Sequence, residues 1–196
     1  MRRRQTPSQT VGPFFAFGLA GEQYGYRFRQ AASGTIAGPD EAGQRIRIVG
    51  RVLDGAGEPI PDALIEIWQA DAAGRYAHSA DGRGSNSGFT GFGRVGTGTD
   101  RENRFIFDTV KPGSVDGAQA PHVTLVVMMR GLLTHAYTRL YFSDEASANA
   151  RDEVLLGIAP DRRDTLLARR EDTATGPVYR FDIRMQGERE TVFFDL

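Results

Sequence analysis

Alternation of apolar and polar residues in the middle of the chain predicts β-strands. In RIRIVGRVL, which begins at Arg45, the residues Ile46, Ile48, Gly50 and Val52 fall on one face, and arginines dominate the other. This period of two is typical of a strand with one buried face. The turn sequence DGAGEP follows. A second strand, DALIEIWQA, then carries the only tryptophan of the chain.

Short apolar runs separated by Gly and Pro turns predict further strands. They cover residues 104–108, 123–130, 137–142, 178–185 and 191–194. Many short strands of this kind favour an all-β fold, and we expect an antiparallel β-sandwich. Helical signals are confined to 143–156 and 162–170, which predict short helical insertions.

Two segments lack strand periodicity. Residues 1–44 form an extended N-terminal arm in which aromatic residues lie among prolines and glycines. Such an arm needs a surface to bury against, either its own sandwich or a partner chain, and both alternatives stay open. Residues 79–99 are rich in glycine and predict a long loop. We therefore expect one structural domain, with an arm at 1–44 that packs on core and partner, and a sandwich at 45–196.

Composition excludes several classes of function. The net charge of -1 gives no general attraction to nucleic acids or anionic lipids. No apolar stretch approaches the roughly 20 residues of a membrane helix, so we expect a cytoplasmic protein. The absence of cysteine excludes disulfides and thiolate metal sites. The three histidines, His78, His122 and His135, are too scattered for a dedicated zinc site.

Two segments carry a family resemblance. They are GRVLDGAGEPIPDALIEIWQADAAGRY, which ends at Tyr76, and TVKPGSVDGAQAPHVT, which ends at Thr124. Both resemble the intradiol ring-cleavage dioxygenases, whose catalytic chains hold Fe(III) with two tyrosinates and a His-x-His pair. By this resemblance Tyr76 and His122 match the first Tyr and the first His, whereas Val115 and Thr124 occupy the positions of the second pair. Gln119 replaces an arginine of the family.

These replacements change the expected chemistry. Fe(III) is a small, hard trication, and anionic phenolates with neutral imidazoles make it tolerable in a protein interior. Valine has no lone pair, and a threonine hydroxyl is a poor substitute for imidazole. We therefore expect no metal site in this chain and interpret Tyr76 and His122 as a vestigial pocket. Recruitment of His78 as a substitute ligand is an alternative that no other residue supports.

Three further segments indicate which members of the family this chain resembles most. TPSQTVGPFF, TRLYFSDEASANARDEVL and YRFDIRMQGERETVFFDL are similar to the noncatalytic alpha subunits of two-chain members of the family. The resemblance implies a large hetero-oligomer with a homologous beta subunit that holds the Fe(III). It also implies that the complex cleaves 3,4-dihydroxybenzoate with O₂ to give 3-carboxy-cis,cis-muconate.

The same resemblance implies which residues border the substrate. Thr10, Pro13 and Arg130 match alpha-subunit residues that lie at the active site of the partner. A guanidinium suits this place because it presents a planar, permanently charged fork to a carboxylate. Without the resemblance, Arg130 is an ordinary solvated strand end. Thr10 and Pro13 are then residues of an arm without chemistry, and Trp68 is a packing residue.

Two other functions remain alternatives. One is a self-sufficient intradiol dioxygenase with atypical ligands, which would bind iron by itself. The other is a noncatalytic binding or structural β-sandwich whose likeness to the family is only ancestral.

Overall fold

The structure is a computed structural model that describes residues 5–28, 30–84 and 88–195. Within them the chain forms nine strands: β1 (Arg45–Leu53), β2 (Leu64–Gln69), β3 (Phe92–Gly96), β4 (Arg104–Val110), β5 (His122–Met128), β6 (Ala136–Phe142), β7 (Leu167–Thr173), β8 (Gly176–Arg180) and β9 (Ile183–Arg184). The α-helices are α1 (Phe15–Leu19), α2 (Ala146–Asn149) and α3 (Glu153–Leu156). Short 3-10 helices cover Gly21–Tyr24 and Arg163–Leu166.

Strand β7 joins the two layers of the sandwich. One layer has the strand order β3-β2-β5-β6, and the other has the order β8-β1-β4, with β9 beside β1. The first residues of β7 pair with β6, as in Tyr141 opposite Leu167, and its later residues pair with β8. The predicted all-β sandwich with short helices is confirmed.

The sandwich is mixed rather than purely antiparallel. Strand β1 runs parallel to β8 and β9, and β6 runs parallel to β7. Parallel neighbours need long connections, and the helical insertion of 143–166 provides one between β6 and β7. The prediction of an antiparallel sandwich was wrong in this respect.

The core lies between the inward faces of the two layers. The predicted alternation of β1 is confirmed, because Ile46, Ile48 and Val52 are buried and belong to the main core cluster. Phe105 and Phe107 of β4 are fully buried opposite them in the same cluster. Burial of these large apolar side chains is the main contribution to the stability of the sandwich.

The predicted loop at 79–99 contains β3, so that prediction was wrong for its second half. Residues 85–87 of that loop, residues 1–4 and 29 of the arm, and residue 196 lie outside the described residues. The glycines of β3 have a tertiary cause. A Cβ on Gly93 would lie 2.8 Å from Ile36 Cγ1, and one on Gly96 would lie 2.8 Å from the Tyr24 hydroxyl. Glycine is therefore needed where the arm packs on the strand.

Three other boundaries also differ from the sequence expectations. The predicted strand at 178–185 is divided into β8 and β9. The predicted helix at 162–170 is a single 3-10 turn, after which β7 begins at Leu167. The expected strand at 191–194 is reduced to an isolated bridge between Tyr137 and Phe194. The insertion at 143–156 forms α2 and α3, in line with the prediction.

The arm packs on the outer side of β2 and β3. Ala16 and Ala20 pack against Leu64. The side-chain amide of Gln23 donates to Gly96 O at 2.7 Å and accepts from Gly96 N at 2.8 Å. The arm is thus fixed to its own sandwich at these points, and the division into arm and sandwich domains stays a prediction. No helix of the described residues has the length and apolar character to cross a membrane.

Substitution of Gly50 should test the packing of β1 against the turn after β8. A Cβ at Gly50 would lie 1.8 Å from Phe181 O and 2.5 Å from Phe105 Cζ, and a backbone carbonyl cannot move aside cheaply. We expect Gly50→Ala to lower the free energy of unfolding by about 1–3 kcal/mol, measured by denaturant unfolding. In the control Gly18→Ala the added Cβ has no atom within 4 Å, so this variant should keep the free energy of unfolding of the wild type. Equal stability of both variants would contradict this packing.

Candidate functional site

Asp71 builds the turn that positions Tyr76. Its buried carboxylate accepts hydrogen bonds from Ala73 N at 2.8 Å and Arg75 N at 2.9 Å. The Arg75 Nε also donates to it, at 2.9 Å. This Asx-type turn follows β2 directly, so Tyr76 returns over the sheet instead of leaving it.

Two glycines bring this turn against the segment that contains Val115. Gly74 has a φ of 75°, and a Cβ there would lie 2.0 Å from Ser114 O. A Cβ on Gly113 would lie 2.5 Å from Ala72 O. Only glycine permits such close backbone contact together with the left-handed conformation. The sequence motifs around Tyr76 and Val115 thus form one wall of a shared pocket.

The floor of the pocket is one face of the sheet β2-β5-β6. Thr124 lies opposite Trp68 on one side and opposite Arg139 on the other. His122 lies opposite Tyr141. Because side chains two residues apart on a strand share a face, all five side chains project toward the same side. Positions 122 and 124 thus lie on one face of β5.

Tyr76 stacks on Trp68 at this face. The ring centroids are 5.8 Å apart and the planes differ by 3°. Burial raises the pKa of the Tyr76 phenol, while the nearby Arg139 cation acts in the opposite direction. The phenol is therefore held in its neutral form at neutral pH, unlike a metal-bound tyrosinate. Both rings line an open groove of 770 Å³ together with His78 and Val115.

His122 is buried and neutral at neutral pH. Burial lowers the pKa of its imidazole, and the Arg139 charge lowers it further, against a hydrogen bond to Ala120 that acts to raise it. The Nδ1 donates to Ala120 O at 2.8 Å, so only Nε2 has a lone pair toward the pocket. His122 could thus offer a metal ion only one nitrogen ligand atom, Nε2.

Arg139 brings a fixed positive charge to the pocket. Its Nη1 donates to Gln119 Oε1 at 3.1 Å and to the Tyr141 hydroxyl at 3.4 Å. The Arg139 charge also acts on the Tyr76 phenol and on the His122 imidazole. The pocket therefore contains a guanidinium that is supplied by β6.

Asp152 anchors the inner end of the pocket. Its carboxylate is fully buried and accepts from Ala120 N at 2.8 Å, Leu155 N at 2.9 Å and the Tyr141 hydroxyl at 3.1 Å. The bond from Leu155 N makes Asp152 the N-cap of α3. One side chain thus fixes the start of β5, the end of β6 and the helical insertion.

The residues present do not fit a ferric ion. Tyr76 and His122 are the only donors that remain of the four positions, and Val115 is a buried apolar side chain. Thr124 has a guanidinium as its cross-strand neighbour. Among the described residues, no three His, Cys, Asp or Glu side chains are grouped so that they could hold a metal. A trication needs anionic ligands. Neither the Tyr76 phenol, whose pKa is raised by burial, nor the neutral His122 imidazole supplies a negative charge at neutral pH.

The predicted substrate-binding residues lie at the other end of β5. Arg130 follows the strand, is 56% exposed and forms an ion pair with Asp62 through its Nε. The Thr10 hydroxyl accepts a hydrogen bond from Gly131 N at 2.8 Å. Pro13 is exposed three residues further along the arm. The structure thus brings Thr10 beside the Arg130 turn. This turn follows Met128, which lies about 20 Å from His122 at about 3.3 Å per residue of strand.

The substitute ligand considered for iron, His78, does not point to a metal site. Its ring contacts Trp68 edge-on, with centroids 6.4 Å apart. Its Nδ1 accepts a hydrogen bond from Ala80 N at 3.1 Å. His78 is therefore engaged in the turn after Tyr76.

Comparison with known proteins places this geometry in a family. A family model described as Dioxygenase matches residues 24–187. The alpha chain of protocatechuate 3,4-dioxygenase from Burkholderia cepacia is 54% identical over 98% of both chains. The chain belongs to the intradiol dioxygenase family. The alpha chain from Pseudomonas putida is 45% identical over 97% of this intradiol dioxygenase chain and 96% of its own length.

Similarity to the other chain type is lower. The beta chain of protocatechuate 3,4-dioxygenase from Burkholderia cepacia is 34% identical over 76% of this chain and 67% of its own length. Solved structures confirm the fold. An intradiol ring-cleavage dioxygenase from Tetranychus urticae superimposes with a TM-score of 0.63 at 16% identity, over 92% of this chain and 94% of the other.

Sequence reasoning missed two polar residues of this intradiol dioxygenase pocket. Asp152 and Arg139 were both assigned to ordinary secondary structure. A signal for Arg139 was present, since a charged residue in the apolar run YTRLYF on a central strand requires a buried partner. The partner, Gln119, could be found only from the register of β5 and β6.

The buried phenol of Tyr141 should make stability depend on alkaline pH. Burial is the main cause that raises its pKa to about 12. The unfolded chain releases this proton near pH 10, before the folded chain does. The contribution of the buried phenol to the free energy of unfolding is therefore fully present below pH 10 and is lost as the pH rises toward 12. Between pH 10 and 12, the free energy of unfolding of Tyr141→Phe should therefore fall by about 2 kcal/mol less than that of the wild type, as measured by denaturant unfolding at each pH. The same pH dependence of the free energy of unfolding in wild type and variant would contradict this role of Tyr141.

Proposed function

We propose that this chain is the alpha subunit of a hetero-oligomeric protocatechuate 3,4-dioxygenase, paired with a homologous iron-bearing beta subunit. The observation that carries the proposal is similarity to two alpha chains over nearly the full length of each. The pocket chemistry agrees with it, since Val115 and Thr124 supply no iron ligand. The moderate similarity to a beta chain supports a partner of related fold.

The proposed reaction of the complex is the cleavage of 3,4-dihydroxybenzoate by O₂. The bond between the two hydroxylated carbons breaks, and the product is 3-carboxy-cis,cis-muconate. The Fe(III) of the partner supplies the chemistry that makes the dihydroxylated ring react with O₂. The present chain contributes walls and charge to the substrate pocket.

Arg130 is the residue that would contribute the charge to the substrate pocket. Its hydrogen bond to Asp62 uses Nε, and among the described residues no hydrogen bond involves its Nη nitrogens. These outer nitrogens are free to bind the carboxylate of the substrate as a planar fork. The hydrogen bond from Gly131 N to the Thr10 hydroxyl holds the turn and the arm together. Pro13 then adds a rigid apolar wall.

The arm is the proposed partner surface. Phe14, Tyr26 and Phe28 are exposed by 76%, 51% and 44%. Large aromatic side chains at this exposure are typical of interfaces, since they bury much apolar area at low entropic cost. The same arm carries Thr10 and Pro13, so docking of the aromatics would bring the proposed substrate residues to the partner.

The alternatives have less support. A self-sufficient dioxygenase needs ligands that this pocket lacks, and recruitment of His78 is opposed by its place in the turn. A purely structural sandwich leaves the full-length likeness to alpha chains without a reason. The cytoplasmic location stays a prediction.

Iron content should distinguish these functions. We expect the complex of this chain with its beta partner to contain one iron per pair, and the chain purified alone to contain no stoichiometric iron and no visible tyrosinate-to-iron absorption band. Metal analysis and absorption spectra give both quantities. Stoichiometric iron on the isolated chain, or a pair without activity toward 3,4-dihydroxybenzoate, would overturn the proposal.

Arg130→Ala tests the carboxylate contact in the same complex. A charge-assisted hydrogen bond contributes about 1.5–3 kcal/mol, so affinity for 3,4-dihydroxybenzoate should fall about 10- to 150-fold. Affinity for catechol, which lacks the carboxylate, should change little. The matched control is Arg151→Ala, which removes an exposed arginine elsewhere on the surface. Equal losses for both substrates would remove Arg130 from the proposed role.

A further inference from the structure

A second concave surface lies on the outer face of the layer β7-β8-β1-β4. It is a groove of 570 Å³, away from the Tyr76 pocket. Three acidic residues line it, together with six arginines. The arginines are Arg51, Arg104, Arg169, Arg180, Arg184 and Arg189. Neither the Tyr76 pocket nor the Arg130 turn includes any of these residues.

Two pairs of arginines lie directly opposite one another across strands. Arg51 of β1 faces Arg104 of β4, and Arg169 of β7 faces Arg180 of β8. Arg180 is also opposite Val49, two residues before Arg51, so both pairs lie on the same side of the sheet. Like charges placed directly opposite are destabilising in a sheet. Glu102 lies between the first pair, at 3.2 Å from Arg51 and 3.6 Å from Arg104. In the second pair an ion pair is formed only by Arg180, so among the described residues the Arg169–Arg180 pair breaks a local rule of stability, which is frequent at functional sites.

Acidic residues compensate only part of this charge. Arg104 binds Asp100 through both Nε and Nη2, at 2.9 and 3.0 Å. Arg180 binds Glu171 at 2.9 Å.

Arg51 and Arg189 pair with Glu102 and Asp164, at 3.2 and 2.6 Å. In the part of the chain that the structure describes, no acidic side chain forms an ion pair with Arg169 or Arg184. Both side chains line the groove and are exposed. They are therefore available to an added anion.

We infer that this groove is a binding site for a small multivalent anion, of the di- or tricarboxylate or phosphate class. Guanidinium groups bind such oxyanions through paired N–H donors in a fixed plane. The volume of the groove is in the range of small-ligand sites, which is about 300–1,000 Å³. An anion between Arg169 and Arg180 would relieve their mutual repulsion, so binding should also stabilise the fold.

The inference is independent of the proposed function. The groove lies on the layer that contains β1 and β8, whereas the Tyr76 pocket and the Arg130 turn belong to β2, β5 and β6. Iron content of the pair therefore tests one claim, and anion binding by this chain tests the other.

Calorimetric titration of the full-length chain with citrate and with inorganic phosphate, at low ionic strength, tests the site. We expect saturable binding that weakens with added salt. The double variant Arg169→Gln/Arg184→Gln removes two charges without breaking an ion pair and should weaken binding at least about tenfold. Arg184→Gln should weaken it in part. The matched control Arg151→Gln should stay within about twofold of wild type, since this exposed arginine does not line the groove.

Three outcomes would overturn the site. The first is the absence of saturable binding of either anion by a wild-type chain that circular dichroism shows to be folded. The second is a loss of affinity in the control Arg151→Gln as large as that in Arg184→Gln, which would indicate general charge attraction. The third is a double variant that fails to co-purify with the beta partner while the wild-type chain binds neither anion. The groove would then be a contact for an acidic surface of the partner chain.

Discussion

The buried carboxylate of Asp152 is the interaction on which the arrangement of the pocket depends. It joins three segments that are distant in the chain, because Ala120, Tyr141 and Leu155 all donate to it. A buried carboxylate is costly unless each lone pair has a donor, so these segments can assume only positions that satisfy it. The position of His122 and the orientation of the Tyr141 phenol follow from this condition. The helical insertion, capped by the same side chain, is part of the pocket rather than an external decoration.

The pocket combines a guanidinium, two phenols and an imidazole. Arg139 donates to Gln119 and to the Tyr141 hydroxyl, and His122 donates to Ala120 O. A ferric ion needs negative ligands in a low-dielectric interior, and burial opposes a charge on both Tyr76 and His122. The family fold is thus present in a chain whose pocket residues do not fit the metal.

Strand β5 connects the Tyr76 pocket with the Arg130 turn. Its first residue is His122, and the Arg130 turn follows its last residue, which lies about 20 Å away. The pocket and the turn that we propose for the partner thus lie at opposite ends of one strand. On the opposite layer, the outward positions of β1, β4, β7 and β8 include Arg51, Arg104, Arg169 and Arg180.

The sequence alone determined the all-β class and the burial of alternate residues in β1. These features depend on local period and residue chemistry, which are fully present in the chain. The assignment of Val115 and Thr124 to ligand positions is implied by the family resemblance and not by any local pattern. Only the tertiary structure decided that β7 connects the layers, that β3 runs through a glycine-rich segment, and that Arg139 meets Gln119. Those outcomes depend on strand register and on which backbones approach closely. Neither is encoded in any single segment, because both are set by the contacts between segments distant in sequence.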